Sequence, residues 1–268
     1  MKKWLVVLCL SLSSPALAQS WNHDPASPIG PTFWGTVTFP FATCGSANAP
    51  GFAQATFVEV GKKQSPVDIV NAQPAALPAP FYVYGNTPFE VENTGHVIEV
   101  PYAAGSSLRI GTDTFNLVQF HFHTDSEHTV NGRPSPMEVH LVHQNALGNL
   151  AVVGILLEVG PNPNLLIEEI FANAPVLAGT TVAVEGRTLN ARDLLPRNAA
   201  SFWTYSGSLT TPPCSEGVKW TVLKNTVQVS QRTVDRFKAI VAAFPGYGGF
   251  KQNNRPVRPL DGRAILSN

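Results

Sequence analysis

The sequence predicts a mainly β fold, a single domain with few and minor helices. Gly and Pro, 21 and 23 residues, punctuate short apolar runs along the whole chain. Several of those runs alternate apolar and polar residues with a period of two, the spacing of a half-buried strand. Only two segments carry helical spacing, and no repeat, charge block or long heptad pattern interrupts the pattern.

In chain order, the first strand-like run is 96–102, followed by 114–123 and 137–144. Side chains alternate across a strand, so Gln119, His121 and His123 share one face and Val118, Phe120 and Phe122 the other. By the same parity Glu138, His140 and Val142 lie together, opposite Val139, Leu141 and His143. The run 151–159 is a fourth strand. PNPNLLIEEIFAN then offers Asn164 as the N-cap of a short helix. The strand 218–223 follows. Ser230 caps a second helix, whose Val234, Phe237, Val241 and Phe244 fall on one face. NAQPAALPAP (71–80) resembles a linker but is too short to mark a domain boundary.

Charge and hydropathy narrow the function. Apolar residues make up 44% of the 268 and charged ones 13%, enough for a sizeable core. The balance of 18 basic and 18 acidic residues argues against a nucleic-acid or acidic-membrane partner. The N-terminus reads as a secretory signal peptide: a basic MKK, the apolar WLVVLCLSL and a small-residue ALA at 16–18. Cleavage is expected after Ala18, leaving one domain over 19–268 with a slight acidic excess. The apolar run is too short to span a bilayer, and no lipobox marks a lipid anchor. The expected location is the periplasm or the medium. Cleavage removes Cys9 and leaves Cys44 and Cys214, a pair that suggests a disulfide in an oxidising compartment. It would close a loop of about 170 residues, for which chain entropy gives at most roughly 5 kcal/mol.

The chemistry concentrates in QFHFHTDSEHTV (119–130), which holds three of the seven histidines. His-x-His on a strand sets two imidazoles on one face, about 6.5–7 Å apart at the backbone. That suits two ligands of one tetrahedral metal such as zinc, with the third from a neighbouring strand. His140 is the best third ligand. Glu138 precedes it by two residues on the same face, as Gln119 precedes His121, and metal-bound histidines donate their other N–H to such partners. Ordinary hydrogen-bonded sheet histidines are the competing reading. His121, His123 and Glu127 also approach a cupin metal motif, but neither its glycine nor its second half is present. H-E-x-x-H is absent, and HTDSEH misses the inverted form by one residue.

Six blocks in order decide between these: QSPVDI (64–69), NTGH (93–96), QFHFH…SEHTVNG (119–132), MEVHLVH (137–143), YSGSLTTPPCSEGVKW (205–220) and NNRPVRPLDGR (253–263). Together, from about Trp21 to Arg263, they resemble the α-class carbonic anhydrases. The resemblance implies a large, twisted, mostly antiparallel mixed sheet with peripheral helices and zinc at the base of a cone-shaped cleft. It implies a Zn2+ lyase that interconverts carbon dioxide and bicarbonate by zinc-bound hydroxide, with esterase activity as a possible accompaniment. His121, His123 and His140 would be the zinc ligands, supported by Gln119, by the backbone carbonyl of Asn253 and by Glu138. Thr210 would accept the hydroxide proton and give its own to Glu127. Thr211 would line the cavity, and Val142, Val152, Leu209, Val218 and Trp220 the carbon dioxide pocket. His96 would shuttle protons, and Ser65, His128 and Tyr205 would form a supporting network. His23, His128 and His143 are expected to be structural or surface residues rather than ligands. In exported bacterial members a cysteine near Cys44 pairs with the one after LTTPP, here Cys214. The chain departs from the family at His23, where a tyrosine is usual, and at Thr124, where animal members carry Trp. The stretch between Trp34 and Gln64 is also longer than usual. A non-catalytic binding protein of the same fold is the alternative, disfavoured because no zinc histidine is missing. A periplasmic metal carrier is disfavoured by the lack of Met- or His-rich segments. A monomer or a homodimer is expected.

Overall fold

Residues 21–36, 41–45 and 61–268 are described in the computed structural model of the chain. The expected leader and cleavage point lie outside them. Eight strands carry the architecture: β1 (Thr87–Asn93), β2 (Ile98–Pro101), β3 (Asp113–His123), β4 (Met137–Gln144), β5 (Leu150–Val159), β6 (Thr180–Leu189), β7 (Phe202–Ser208) and β8 (Glu216–Val229). They run in the order β6-β1-β2-β3-β4-β5-β8-β7 through a 12-stranded sheet, which Leu266–Ser267 and Gln73–Pro74 extend beyond β7. The pairs are antiparallel except β5 with β8 and the last two short strands, so the sheet is mixed and mostly antiparallel, as expected. A small second sheet joins Asp68–Ile69, Thr129–Val130 and Arg133–Pro134.

Parity decides which face is buried. Ile98, Val100, Phe120, Phe122, Val139 and Leu141 point to one side and are fully enclosed. Helices α1 (Leu165–Asn173) and α2 (Gln231–Ala242) belong to the same core. Phe171 of α1 meets Phe122 edge-on at 5.0 Å between centroids and Phe237 of α2 at 4.9 Å. Both expected caps form: Asn164 Oδ1 accepts from the Ile167 N–H and Ser230 Oγ from the Thr233 N–H, each at 3.1 Å. The α2 stripe is buried through Val241, and Phe244, beyond the helix end, is buried with it.

Two strands differ in length from expectation. The run predicted over 96–102 shortens to Ile98–Pro101 because a turn precedes it. Asn93 Oδ1 accepts from Gly95 N–H at 2.9 Å, Thr94 Oγ1 accepts from Val97 N–H at 3.1 Å, and Gly95 takes a φ of +86°, a region glycine enters without strain. His96 therefore sits in a turn. The run 218–223 grows to Glu216–Val229. Strands β1, β6 and β7 went unpredicted. β6 is an exposed edge with little to bury, and the Ser and Gly of FWTYSGS blunt the apolar rhythm of β7.

Candidate metal centre

On the face opposite the core, the register sets His140 directly beside His121, and Glu138 beside His123. Side chains from two adjacent strands thus meet without any long loop to position them. One ring nitrogen from each of His121, His123 and His140 lies within 4.8 Å of the others. The ring centroids stand 5.0, 5.4 and 4.6 Å apart.

Each ring is fixed through its other nitrogen. His121 Nδ1–H donates to Gln119 Oε1 at 2.8 Å, His123 Nδ1–H to the Asn253 carbonyl at 2.9 Å, and His140 Nε2–H to Glu138 Oε1 at 2.9 Å. The convergent atoms are therefore His121 Nε2, His123 Nε2 and His140 Nδ1. Burial, the largest cause, holds His121 well below the ordinary histidine value and lowers His123 as well. Neutral imidazoles are the form that binds a cation. His123 Nε2 is buried and makes no hydrogen bond, a cost the fold carries unless something accepts that lone pair. Burial acts to lower His140 as well, but the Glu138 carboxylate outweighs it and raises that ring, so a cation there would displace a proton from it. Three convergent nitrogens on oriented rings fit a divalent cation such as zinc that keeps an open position.

The supports are themselves supported. Glu138 accepts four hydrogen bonds: His140 Nε2–H and His128 Nδ1–H at Oε1, and the N–H groups of Glu127 and His128 at Oε2. Burial alone would raise its carboxyl, but the His128 and His140 imidazoles outweigh that and hold it well below the carboxylate range. His128 Nε2 meets the Tyr205 hydroxyl at 2.7 Å, and that hydroxyl meets Ser65 Oγ at 2.9 Å. Asn253, besides its carbonyl, spends its side chain on Thr124 N–H, the His96 carbonyl and the Phe122 carbonyl.

Glu127 is held from a direction that sequence spacing does not indicate. Its Oε1 accepts from the Arg255 N–H at 2.8 Å, while Oε2 is buried with no hydrogen bond. No hydrogen bond from Thr210 reaches it. Oε2 lies 3.5 Å from His123 Nε2 and 3.7 Å from His140 Nδ1, beside the bare nitrogens that a cation would join. Thr210 is nearly enclosed, in the segment between β7 and β8. That segment is closed by Leu209 N–H to Ser215 O at 3.0 Å and Cys214 N–H to Thr211 O at 2.8 Å. The Cys44–Cys214 disulfide is present and fastens it.

The apolar residues expected beside the metal do gather. Val152, Val218 and Trp220 are buried in one cluster, with Val142 and Leu209 packed against it, and Thr211 is half-buried nearby in the chain. Trp220 Nε1–H donates to Ser208 O at 2.9 Å, which fixes its ring against His140, 4.8 Å away between centroids.

His96, the expected proton shuttle, is not a free ring. It stacks on Trp21 at 3.8 Å with planes 7° apart, its Nδ1 buried without a partner, and burial lowers it to about 4. His23 is enclosed, with Nδ1 against the Tyr247 hydroxyl. His143 is satisfied on the core face, Nε2 by the Tyr84 hydroxyl at 2.8 Å and Nδ1 by the Ala151 carbonyl at 3.3 Å.

Two residues escaped the sequence reading. Gly154 stands opposite His140 on β5, and a Cβ there would come within 2.7 Å of Glu138 Oε1. A lone glycine inside an apolar strand was the available signal. Arg255 is fully buried, donating to the carbonyls of Ser65 at 2.7 Å and Cys44 at 2.8 Å, and burial lowers it to about 9. It links the disulfide to Glu127, and no local spacing announces that.

A mixed sheet with three histidines converging from adjacent strands defines a metal-site β protein, and comparison narrows the class. The family model for eukaryotic-type carbonic anhydrase matches residues 53–268. A carbonic anhydrase of Nostoc sp. is 35% identical over 95% of this chain and 89% of its own length. One from Pectobacterium atrosepticum is 32% identical over 98% of both chains. The α-carbonic anhydrase of Thermovibrio ammonificans, solved with the inhibitor sulfanilamide, superposes with a TM-score of 0.80 at 35% identity, covering 92% of this chain and 98% of that one. The chain belongs to the α-class, eukaryotic-type carbonic anhydrases, enzymes that hydrate carbon dioxide.

Proposed function

We propose that the chain works as a zinc-dependent, exported carbonic anhydrase, with zinc held by His121 Nε2, His123 Nε2 and His140 Nδ1. The observation that carries this reading is the convergence of those three nitrogens, each on a ring whose second nitrogen is already bonded. Zinc, when bound there, supplies a Lewis acid strong enough to make water acidic near neutral pH.

The protein's own groups do the rest. Gln119, Glu138 and the Asn253 carbonyl keep the rings in one tautomer and orientation. Thr210 Oγ1 accepts a hydrogen bond from the attacking hydroxyl when its own O–H turns to donate to Glu127 Oε2, the carboxylate oxygen that has no other hydrogen bond. That arrangement aims an oxygen lone pair at the carbon of the substrate. Val142, Val152, Leu209, Val218 and Trp220, with Thr211 at the rim, form a wall suited to an uncharged, weakly hydrogen-bonding molecule. His96 collects the released proton. Under Trp21 it is too weak a base at neutral pH, so it serves as an acceptor when its ring moves into water and its ordinary value near 6.5 returns. Activated esters are a further substrate class open to the same nucleophile.

Export after Ala18 is supported by the leader-like N-terminus and by the Cys44–Cys214 disulfide. No helix among the described residues is long and apolar enough to cross a membrane.

Stopped-flow hydration of carbon dioxide by the purified mature protein, beside elemental analysis, tests the reading. One zinc per chain is expected, with activity lost on chelation and restored by zinc alone. Full activity in metal-free protein would overturn it.

A further inference from the structure

A row of residues crosses the site face of the sheet in register: Glu92 on β1, Glu99 on β2, His121 on β3 and His140 on β4. Paired residues on antiparallel strands point to the same side. Ile98 and Val100, which flank Glu99, are sealed in the core, so the Glu99 carboxyl stands on the same face as the metal-site histidines. It is one strand from His121. Glu92 lies one strand further out.

Neither acid has a compensating cation among the described residues. No ion pair or hydrogen bond reaches the Glu92 or Glu99 carboxyl among the described residues, although both side chains are half-buried. Like charges directly opposite on neighbouring strands are destabilising. Burial, and then Glu92, push the Glu99 carboxyl up to about 7. The fold therefore bears a cost to keep one acid a strand away from His121 and a second a strand further out, where a neutral amide or an apolar residue would sit without one.

Resting on the zinc reading above, we propose that Glu99, backed by Glu92, is a specificity-determining residue that weakens binding of small anions at the metal centre while leaving the approach of uncharged carbon dioxide open. Bicarbonate, halides and other monovalent anions approach a cation beside a wall that is negative once Glu99 is ionised, and are repelled by it. Carbon dioxide has no charge for the wall to act on. The consequence is faster loss of the anionic product and tolerance of salt.

The test uses zinc-loaded mature protein and potassium thiocyanate as the anion, titrated by calorimetry at mildly alkaline pH, above the value of about 7 to which Glu99 is raised. Glu99→Gln is expected to bind thiocyanate about three- to tenfold more tightly, the scale of one charge acting across neighbouring strands. Glu92→Gln should shift it less, and the gain in anion affinity should exceed any change in kcat/KM for carbon dioxide. Unchanged thiocyanate affinity in Glu99→Gln overturns the proposal, as does a larger effect of Glu92→Gln. A wild-type protein that binds neither zinc nor thiocyanate overturns the reading beneath it and the proposal with it.

Discussion

The two faces of strands β3 and β4 alternate residue by residue, yet they solve opposite problems. The core face carries Phe120, Phe122, Val139 and Leu141, all fully enclosed. What it asks of each side chain is volume and apolarity, and dispersion and burial are non-directional. The site face carries Gln119, His121, His123, Glu138 and His140, where every contact is directional and Glu138 alone accepts four hydrogen bonds. Each face also holds a histidine that sharpens the contrast. His143, on the core face, has both ring nitrogens satisfied by the protein. His123, two strand positions from its ligand partner's register, leaves Nε2 buried and unbonded. A histidine satisfied within the fold is architecture, and one held by a single nitrogen with the other left bare is poised for a ligand.

The largest effect expected from this division is a double dissociation. His140→Ala should lower activity on the order of a thousandfold or more, with loss of bound zinc. Phe122→Ala should cost about 3–5 kcal/mol of stability and keep zinc and kcat/KM per folded molecule near wild type. Metal analysis, chemical denaturation and stopped-flow rates on both variants separate the two. Zinc retained at full stoichiometry in His140→Ala would break the assignment of the site face.

The pH response should expose the satisfied histidine. Burial lowers His143 to about 4, so the unfolded chain takes up that proton first as pH falls. The folded-state value is depressed, and the contribution is therefore fully present above the unfolded value near 6.5 and is lost between that and about 4. The gap corresponds to roughly 3 kcal/mol. The advantage of wild type over His143→Leu should accordingly shrink as denaturation is repeated at successively lower pH across that window. A constant difference would mean that His143 does not titrate with folding.

Much of this was legible before any coordinates. Period-two alternation assigned both faces of β3 and β4, and His-x-His followed by Glu-x-His named the converging residues, because strand parity is local information. The six motif blocks supplied the family and, through it, Thr210, Glu127 and the Asn253 carbonyl. What escaped depends on distant parts of the chain meeting. That Trp21 would cover His96 and lower its basicity is a contact across 75 positions that no spacing encodes. The bond between Arg255 N–H and Glu127 Oε1 spans 128 positions, and no spacing encodes it. Glu99 was readable as a strand residue, but its significance comes from the neighbour that the register gives it.

Gly154 tests how tightly the site face is held, with the smallest change. It sits on β5 opposite His140, and its missing side chain leaves room for the Glu138 carboxylate. In Gly154→Ala the new methyl would stand 2.7 Å from Glu138 Oε1, the oxygen that accepts from both His128 and His140. Alanine favours a strand backbone no less than glycine does, so a purely local view predicts a neutral or slightly stabilising change. The packing view predicts the reverse. The carboxylate must shift, both imidazole bonds lengthen, and overpacking costs about 1–3 kcal/mol. Because Glu138 orients His140, zinc affinity should fall about ten- to a hundredfold, the usual range for losing such a support. Competition for zinc against a chelator, read beside thermal melting, decides between the two views. An unchanged zinc affinity would show that β4 can yield without disturbing its histidine, and that the directional face is less exacting than its hydrogen bonds imply.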